Sequence, residues 1–354
     1  MDENRKRRGA GFWIATSLAV FFFLCSVLLF ISFAGLLIVK ESFLPQTAEE
    51  RKSKLSEVVL EGTGFNKIVI IPIKGVITDQ SSKKLLFEGP SIVDSVEEQL
   101  EQASDDDDVK AVILEINSPG GGITASDIIH KHIMDFKEKT KKKIVVSMQD
   151  VAASGGYYIA VTGDKIISHP TTITGSIGVI MPLINIADLI EKYGIESTSI
   201  TSGDMKELGS PFKKMSDKER KVLHDIVDEM YMRFLNIISE GRNMEIEDVR
   251  KLADGRIYTG KQAVENGLVD EIGYIEDAIT ITKEIAGLKQ AKIIKYKRAF
   301  TLTEIFGSTM NNLAGNRTIK FNLNTFAIED DFPRFMYLWP GYQQNYFLRW
   351  PAFN

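Results

Sequence analysis

Val109–Gly122 reads VKAVILEINSPGGG, and Lys142–Gly156 reads KKIVVSMQDVAASGG. Each stretch holds a run of apolar, mostly β-branched residues and ends in glycine. Strands of a parallel sheet are covered on both faces, so they read as continuous apolar runs rather than as alternation. Between the two runs, Thr124 to about Lys139 carries a helical pattern. Strand, helix and strand at this spacing predict a mostly parallel sheet covered by helices, an α/β class.

The same grammar extends outward. Upstream, Lys67–Ile77 (KIVIIPIKGVI) is another buried strand. Pro90 and Ser91 then open a helix, IVDSVEEQLEQA, apolar at 92, 93, 96, 100 and 103, and Asp105–Asp108 read as a solvated turn. Downstream of Ser154, YYIAV continues as a helix, KIISH as a strand and IADLIEKYG as a helix. Ser216 and Glu219 form a capping box before a long amphipathic helix running to about Glu240. AKIIKYK is the last strand of the pattern, and there is no internal repeat.

The chain has 354 residues, 44% apolar and 26% charged, with a net charge of −5, which gives no electrostatic reason to expect a nucleic-acid partner. Its single cysteine, Cys25, excludes an internal disulfide framework. Four histidines without HExxH or CxxC spacing argue against a zinc site. Gly9–Val39 contains no charge, enough for the roughly 20 apolar residues of a membrane-spanning helix and longer than the apolar core of a cleaved signal peptide. Arg5-Lys6-Arg7-Arg8 precede it, so the expectation is an uncleaved single-pass anchor with its N-terminus in the cytoplasm and the rest outside. The expected organisation is a basic terminus 1–8, anchor 9–39, polar stalk 40–66, α/β domain 67–297 and extension 298–354.

Two glycine-rich turns follow two successive buried strands: Ser118-Pro119-Gly120-Gly121-Gly122 and Ala153-Ser154-Gly155-Gly156. In open parallel sheets, sites form beyond the carboxyl ends of the strands, where such turns converge. Ser154 can therefore be a nucleophile at a helix start or a loop residue at a tight packing point. The hydrolase elbow GxSxG is not met, because Ala152 occupies its first glycine position, and no GK[ST] follows to make a phosphate loop. Of the possible bases, His130, His132 and His224 lie on helical stretches, and His169 in ISHP is the one histidine that could join a triad. The alternative is a lysine from TSGDMKELGSPFKK: Lys206 lies between apolar neighbours, while Lys213 and Lys214 adjoin the capping box. A lysine base must lose its proton near neutral pH, falling from about 10.4 to roughly 7–8 through removal from water.

SPGGG, then AASGGYYIA about 35 residues on, then TGSIGV at 174–179, SGDMKELGSPF and GRIYTGKQAVENGLVDEIG resemble, in that order, the signal peptide peptidase A (SppA) family of membrane-anchored bacterial serine peptidases. The likeness spans about residues 67–290, with the length of the short form. It implies the Clp-protease/crotonase-like ββα superhelix, preceded by one transmembrane helix. Carried over position by position, it makes Ser154 the nucleophile, Lys206 the general base, Ser176 the residue that orients the lysine amine, and Gly121 and Gly155 the oxyanion donors. It implies no cofactor and no metal. It also implies a ring-shaped homo-octamer whose dyads combine residues of adjacent subunits, acting on remnant signal peptides and other extended apolar peptides at the membrane. The competing functions are a crotonase-like acyl-CoA enzyme and a non-catalytic membrane scaffold. The aromatic tail FPRFMYLWPGYQQNYFLRWPAFN has three readings: packing on the domain or a neighbouring subunit, lying at the membrane interface, or occupying the substrate groove and being trimmed.

Overall fold

The computed structural model describes residues 17–31, 55–80, 82–84, 87–298 and 336–338. The chain divides into two compact units, Met1–Lys54 with Phe300–Gly315, and Leu55–Ala299 with Asn316–Asn354. In the first unit the described residues form one exposed helix, α1 (residues 17–31). Its 15 residues rise only about 22 Å, against a hydrocarbon core of about 30 Å. Among the described residues, no helix is long and apolar enough to cross a membrane. The ends of the anchor expected over 9–39, and the basic terminus 1–8, lie outside the described residues.

The second unit runs through β1 (Ser56–Glu61), β2 (Lys67–Lys74), the hairpin strands β3 (Ser82–Lys84) and β4 (Phe87–Gly89), α2 (Ile92–Asp105) and β5 (Val109–Ser118). Then come β6 (Gly120–Gly122), α3 (Ile123–Thr140), β7 (Lys143–Ala153), α4 (Gly155–Ala160), β8 (Lys165–Ser168), β9 (Ile173–Gly175) and α5 (Ala187–Lys192). The remainder is α6 (Asp217–Arg242), α7 (Ile246–Leu252), β10 (Ile257–Thr259), α8 (Gly260–Glu265), β11 (Glu271–Ile272), α9 (Ile275–Ile285), β12 (Lys292–Lys297) and β13 (Met336–Leu338).

This is a mixed α/β fold around a large, mostly parallel sheet in the order β1-β12-β2-β5-β7-β8-β11, with β9 and β10 branching from β7. Every pairing in it is parallel except β1 with β12 and β9 with β10. The apolar runs serve two cores because successive side chains point to opposite faces. Val69, Ile71, Val112 and Leu114 join a core covered by α2, α3, α4 and α6, while Ile68, Ile70, Ala111 and Ile113 face Ala278 and Ile279 of α9. Each such fully buried isoleucine or leucine contributes about 1.5–3 kcal/mol of transfer free energy. The helix starts are fixed by side chains: Ser91 caps α2 and Ser216 caps α6, both in reciprocal capping boxes.

β1 lies in the stretch read as the end of the stalk. It is instead an antiparallel sheet strand against β12, so the packed unit starts near residue 55. The feature that positions the site is a break in β7. Val145–Met148 pairs with β8, whereas Val151–Ala153 pairs with β9, and the β5–β7 register shifts between Ile116 and Ser118. Such irregularities bend a strand and re-aim the residues beyond them. The residue directly beyond β7 is Ser154.

Candidate active site

Ser154 leaves β7 and caps α4 with φ 53° and ψ −116°, the conformation of the first central residue of a type II′ turn, where glycine dominates. Its amide donates to the Gly175 carbonyl (2.7 Å), which holds the turn against β9. The residue is 1% exposed and its Oγ has no hydrogen-bond partner among the described residues. A buried hydroxyl without a partner is unusual and calls for a functional explanation. Because Ala153 pairs with Gly175 in parallel register, the next residues along, Ser154 and Ser176, are also neighbours. Ser176 has φ 49°, is 6% exposed, and donates its amide to the Arg256 carbonyl beside β10 (2.7 Å). Two adjacent serines with positive φ are thus pinned by their backbones at the carboxyl end of the sheet.

The glycines of β6 close the other side. Ile77 donates to the Gly120 carbonyl (2.8 Å) and accepts from the Gly122 amide (2.9 Å). The amide and carbonyl of Gly121 therefore face the opposite edge, towards the serines' groove. A Cβ on Gly121 would overlap the Ile77 backbone, so only glycine permits this approach. Gly155 begins α4, where an amide lacks an intrahelical acceptor. Its amide nitrogen would be 2.7 Å from a Cβ on Gly120, and its own Cβ would be 3.2 Å from the Gly120 Cα. The two glycine turns meet.

A peptide strand lies across this meeting point. β13 pairs antiparallel with β6, setting Met336, Tyr337 and Leu338 opposite Gly122, Gly121 and Gly120. On its other edge, Met336 and Ile180 exchange backbone hydrogen bonds of 2.9 and 3.0 Å. Since the Gly122 amide is committed to Ile77, Gly121 and Tyr337 are the pair that exchanges ladder bonds, and the Gly121 amide points at the Tyr337 carbonyl. That carbonyl oxygen is 3.2 Å from where a Cβ on Gly155 would stand. Of the three readings of the tail, residues 336–338 thus occupy the groove and pack on the domain; the rest of it lies outside the described residues.

The Tyr337 side chain is fully buried. Its ring stacks on Tyr158 (centroids 5.1 Å apart, 25° between planes) and tilts against Phe234 of α6 (4.6 Å), while its hydroxyl donates to the Met230 carbonyl (2.9 Å). Tyr158 donates in turn to Asp127, which also receives Arg233. Sequence patterns alone do not single out this pocket; the aromatic density of the tail is its only trace there.

The candidate bases are dispersed. Lys206 lies in an exposed loop, its amide donating to Gly203 (3.0 Å), and no hydrogen bond joins its amine to the Ser154 hydroxyl. Lys213 and Lys214 pair with Glu219 and Asp188, each at 2.7 Å. His169 contacts Thr171 (2.8 Å), His224 Asp228 (3.0 Å) and His132 Glu97 (3.7 Å). His130 stands edge-on to Tyr158, and burial holds its imidazole down at about 4. Among the described residues, no histidine bonds the Ser154 hydroxyl.

The profile of Peptidase family S49 matches residues 136–289, and that of Clp protease matches residues 89–174. An Enterococcus faecium protein named "Putative signal peptide peptidase SppA" is 43% identical over 245 residues, covering 69% of this chain and 71% of that protein. Protease 4 of Haemophilus influenzae is 36% identical over 64% of this chain and 36% of its own length. The chloroplastic serine protease SPPA of Arabidopsis thaliana is 30% identical over 82% of this chain and 44% of its own length. The chain belongs to peptidase family S49 and is an SppA-like protease.

Proposed function

We propose that this S49 peptidase cuts extended apolar peptides with a Ser154–Lys206 dyad on the ββα superhelix. The observation that carries the reading is the unpartnered, buried Oγ of Ser154 beside Ser176 and two converging glycine turns, with a peptide strand already laid across them. Ser154 passes its proton to the neutral Lys206 amine while Oγ attacks the scissile carbonyl. The Gly121 and Gly155 amides receive the developing oxyanion. Lys206 returns the proton to the leaving amine, and water then releases the acyl group from Ser154. Ser176 holds the lysine amine in line.

Lys206 is exposed in the single chain, and its amine does not reach the Ser154 hydroxyl. It serves Ser154 of an adjacent subunit, so the site is completed in a homo-oligomeric ring. A β-strand groove accepts substrates through backbone ladder bonds, which suits segments that can be extended and apolar, such as signal peptides left at the membrane by secretion. The membrane is reached through the uncharged N-terminal run, with the peptidase unit outside the cytoplasm.

A fluorophosphonate probe tests the reading. It labels Ser154 of the oligomer and no residue of Ser154→Ala, and Lys206→Ala suppresses labelling. A folded wild-type oligomer that hydrolyses peptides but is labelled elsewhere overturns the assignment.

A further inference from the structure

Lys206 is carried by a stretch that forms neither helix nor strand. Between α5 and α6 the backbone is ordered by turns: Lys206 donates its amide to Gly203 (3.0 Å), Leu208 to Met205 (3.1 Å) and Ser210 to Glu207 (3.0 Å). Turns of this kind fix local shape, and they do not fix where the loop stands relative to the sheet. A proton-transferring group has little latitude, since a misplacement of about 1 Å costs on the order of a hundredfold in rate. Something beyond the loop must hold it.

The anchors lie just after Lys206. The Ile186 amide donates to the Pro211 carbonyl (2.7 Å) and the Asn185 side-chain amide to the Lys213 carbonyl (2.6 Å), which ties the loop to the start of α5. The third anchor is ionic and reaches α6. The Lys213 amine stands 2.7 Å from Glu219 Oε1 and 4.0 Å from the carboxylate of Glu207, the residue next to Lys206. Glu219 is 2% exposed, so this tie ends inside the protein. Its other oxygen, Oε2, accepts from the Ser216 amide (2.9 Å) and hydroxyl (2.8 Å) and completes the capping box of α6. Lys213 and the Ser216 donors hold the carboxyl down to about 2, so it stays ionised near neutral pH. α6 then carries Phe234, Leu235 and Ile238 into the core. The next lysine gives the contrast. Lys214 is also 2.7 Å from a carboxylate, Asp188, but both side chains are more than 70% exposed, and such pairs hold little in place.

We propose that Lys213 and Glu219 are positioning residues for the general base: their ion pair fastens the Lys206 loop to the buried start of α6 and so sets where the Lys206 amine stands. The inference rests on the reading of Lys206 as base. Substitution can separate the pair from the helix cap that shares Glu219. Glu219→Gln keeps an oxygen for Ser216, because glutamine serves a capping box as glutamate does, and it removes the charge that faces Lys213. Lys213→Met breaks the same link from the other side, leaving the Glu219 carboxylate without its counter-ion. A peptide backbone is held by β6 and Ile180, outside residues 201–219, so the pair acts on kcat and not on KM.

The experiment uses the full-length oligomer, a quenched fluorogenic apolar peptide and the rate of fluorophosphonate labelling at Ser154. Glu219→Gln and Lys213→Met should each lower kcat by about 10- to 100-fold, leave KM within about twofold and slow labelling in step. The double variant should be no worse than the slower single one, since both remove one link. Lys213→Arg keeps the charge and should recover most of the turnover lost in Lys213→Met, while Lys214→Met should change kcat by less than about twofold. Circular dichroism and size exclusion establish folding and assembly; Lys213 is partly exposed, and Lys213→Met carries the test alone should Glu219→Gln be unfolded.

Folded oligomers of the two variants with wild-type kcat overturn the assignment. An equal loss in Lys214→Met overturns it as an effect of net charge, and a rise in KM that accounts for the loss overturns it as a distorted groove. Dissociation into single chains overturns it too, because the pair then holds subunits and not the base. Lys206→Ala separates the two readings. If it is inactive beside a fully active Glu219→Gln, the base stands and the clamp falls; if Lys206→Ala is active, both fall.

Discussion

Ser154 should make the protein less stable than it need be. Its φ of 53° and ψ of −116° are costly for a residue with a Cβ, of the order of 1–3 kcal/mol. Its Oγ is buried without a partner, which forfeits solvation worth about 1–3 kcal/mol. Ser154→Ala removes the second cost and keeps the first. Ser154→Gly removes both, against about 0.5–1 kcal/mol for the greater freedom of glycine in the unfolded chain. The expected order of stability is Gly above Ala above wild type, with glycine ahead of wild type by about 1–5 kcal/mol after that offset. For a unit of this size that is a rise in Tm of about 2–20 °C. Both variants should have lost peptide hydrolysis. Urea midpoints and thermal melts of the three full-length chains, at equal concentration, measure this. If Ser154→Gly is folded but no more stable than wild type, the turn stores no strain. The Ser154 backbone is then not distorted for catalysis.

Further outcomes can be checked on the same protein. Lys206→Arg should be as inactive as Lys206→Ala in peptide hydrolysis, because a guanidinium does not give up its proton near neutral pH; substantial activity in the arginine variant would remove the lysine as base. Ser176→Ala should lower kcat by about 10- to 100-fold, less than either dyad loss, since it positions rather than transfers the proton. Tyr337→Ala should raise kcat/KM for added peptides several-fold, because β13 occupies the groove they need; unchanged kinetics would show that the strand does not compete. His130, held neutral by burial down to about 4 from an ordinary 6.5, stabilises the fold above pH 6.5, and the contribution is lost as pH falls through 4. That loss is up to roughly 3 kcal/mol, so His130→Gln should flatten the fall in urea midpoint between pH 7 and 4.

The sheet's centre was legible because its strands are long and buried on both faces. β2, β5 and β7 could be read as such, and α2 and α6 announced their starts through Ser91 and Ser216. β9, β10 and β11 have three, three and two residues, too few for any period to show. β1 shows no strand pattern for a different reason. SEVVLE is almost wholly exposed on the sheet's edge, so burial left no apolar run to read, and pairing with β12 across more than 200 residues of chain supplies its order.

The motifs of the candidate site are legible in the sequence, and their geometry is not. Nothing in AASGG specifies a positive φ at serine; the distortion arises where β7 changes partner from β8 to β9. The pairing of β13 with β6 is the extreme case. One member is three glycines and the other three residues near the far end of the chain, so neither carries a pattern that names its partner. Backbone bonds alone would let an extended segment slide to many positions along Gly120–Gly122. The aromatic density of the tail does not say which ring is enclosed. The register is chosen by the single side chain that is fully enclosed, Tyr337 between Tyr158 and Phe234 with its hydroxyl on Met230.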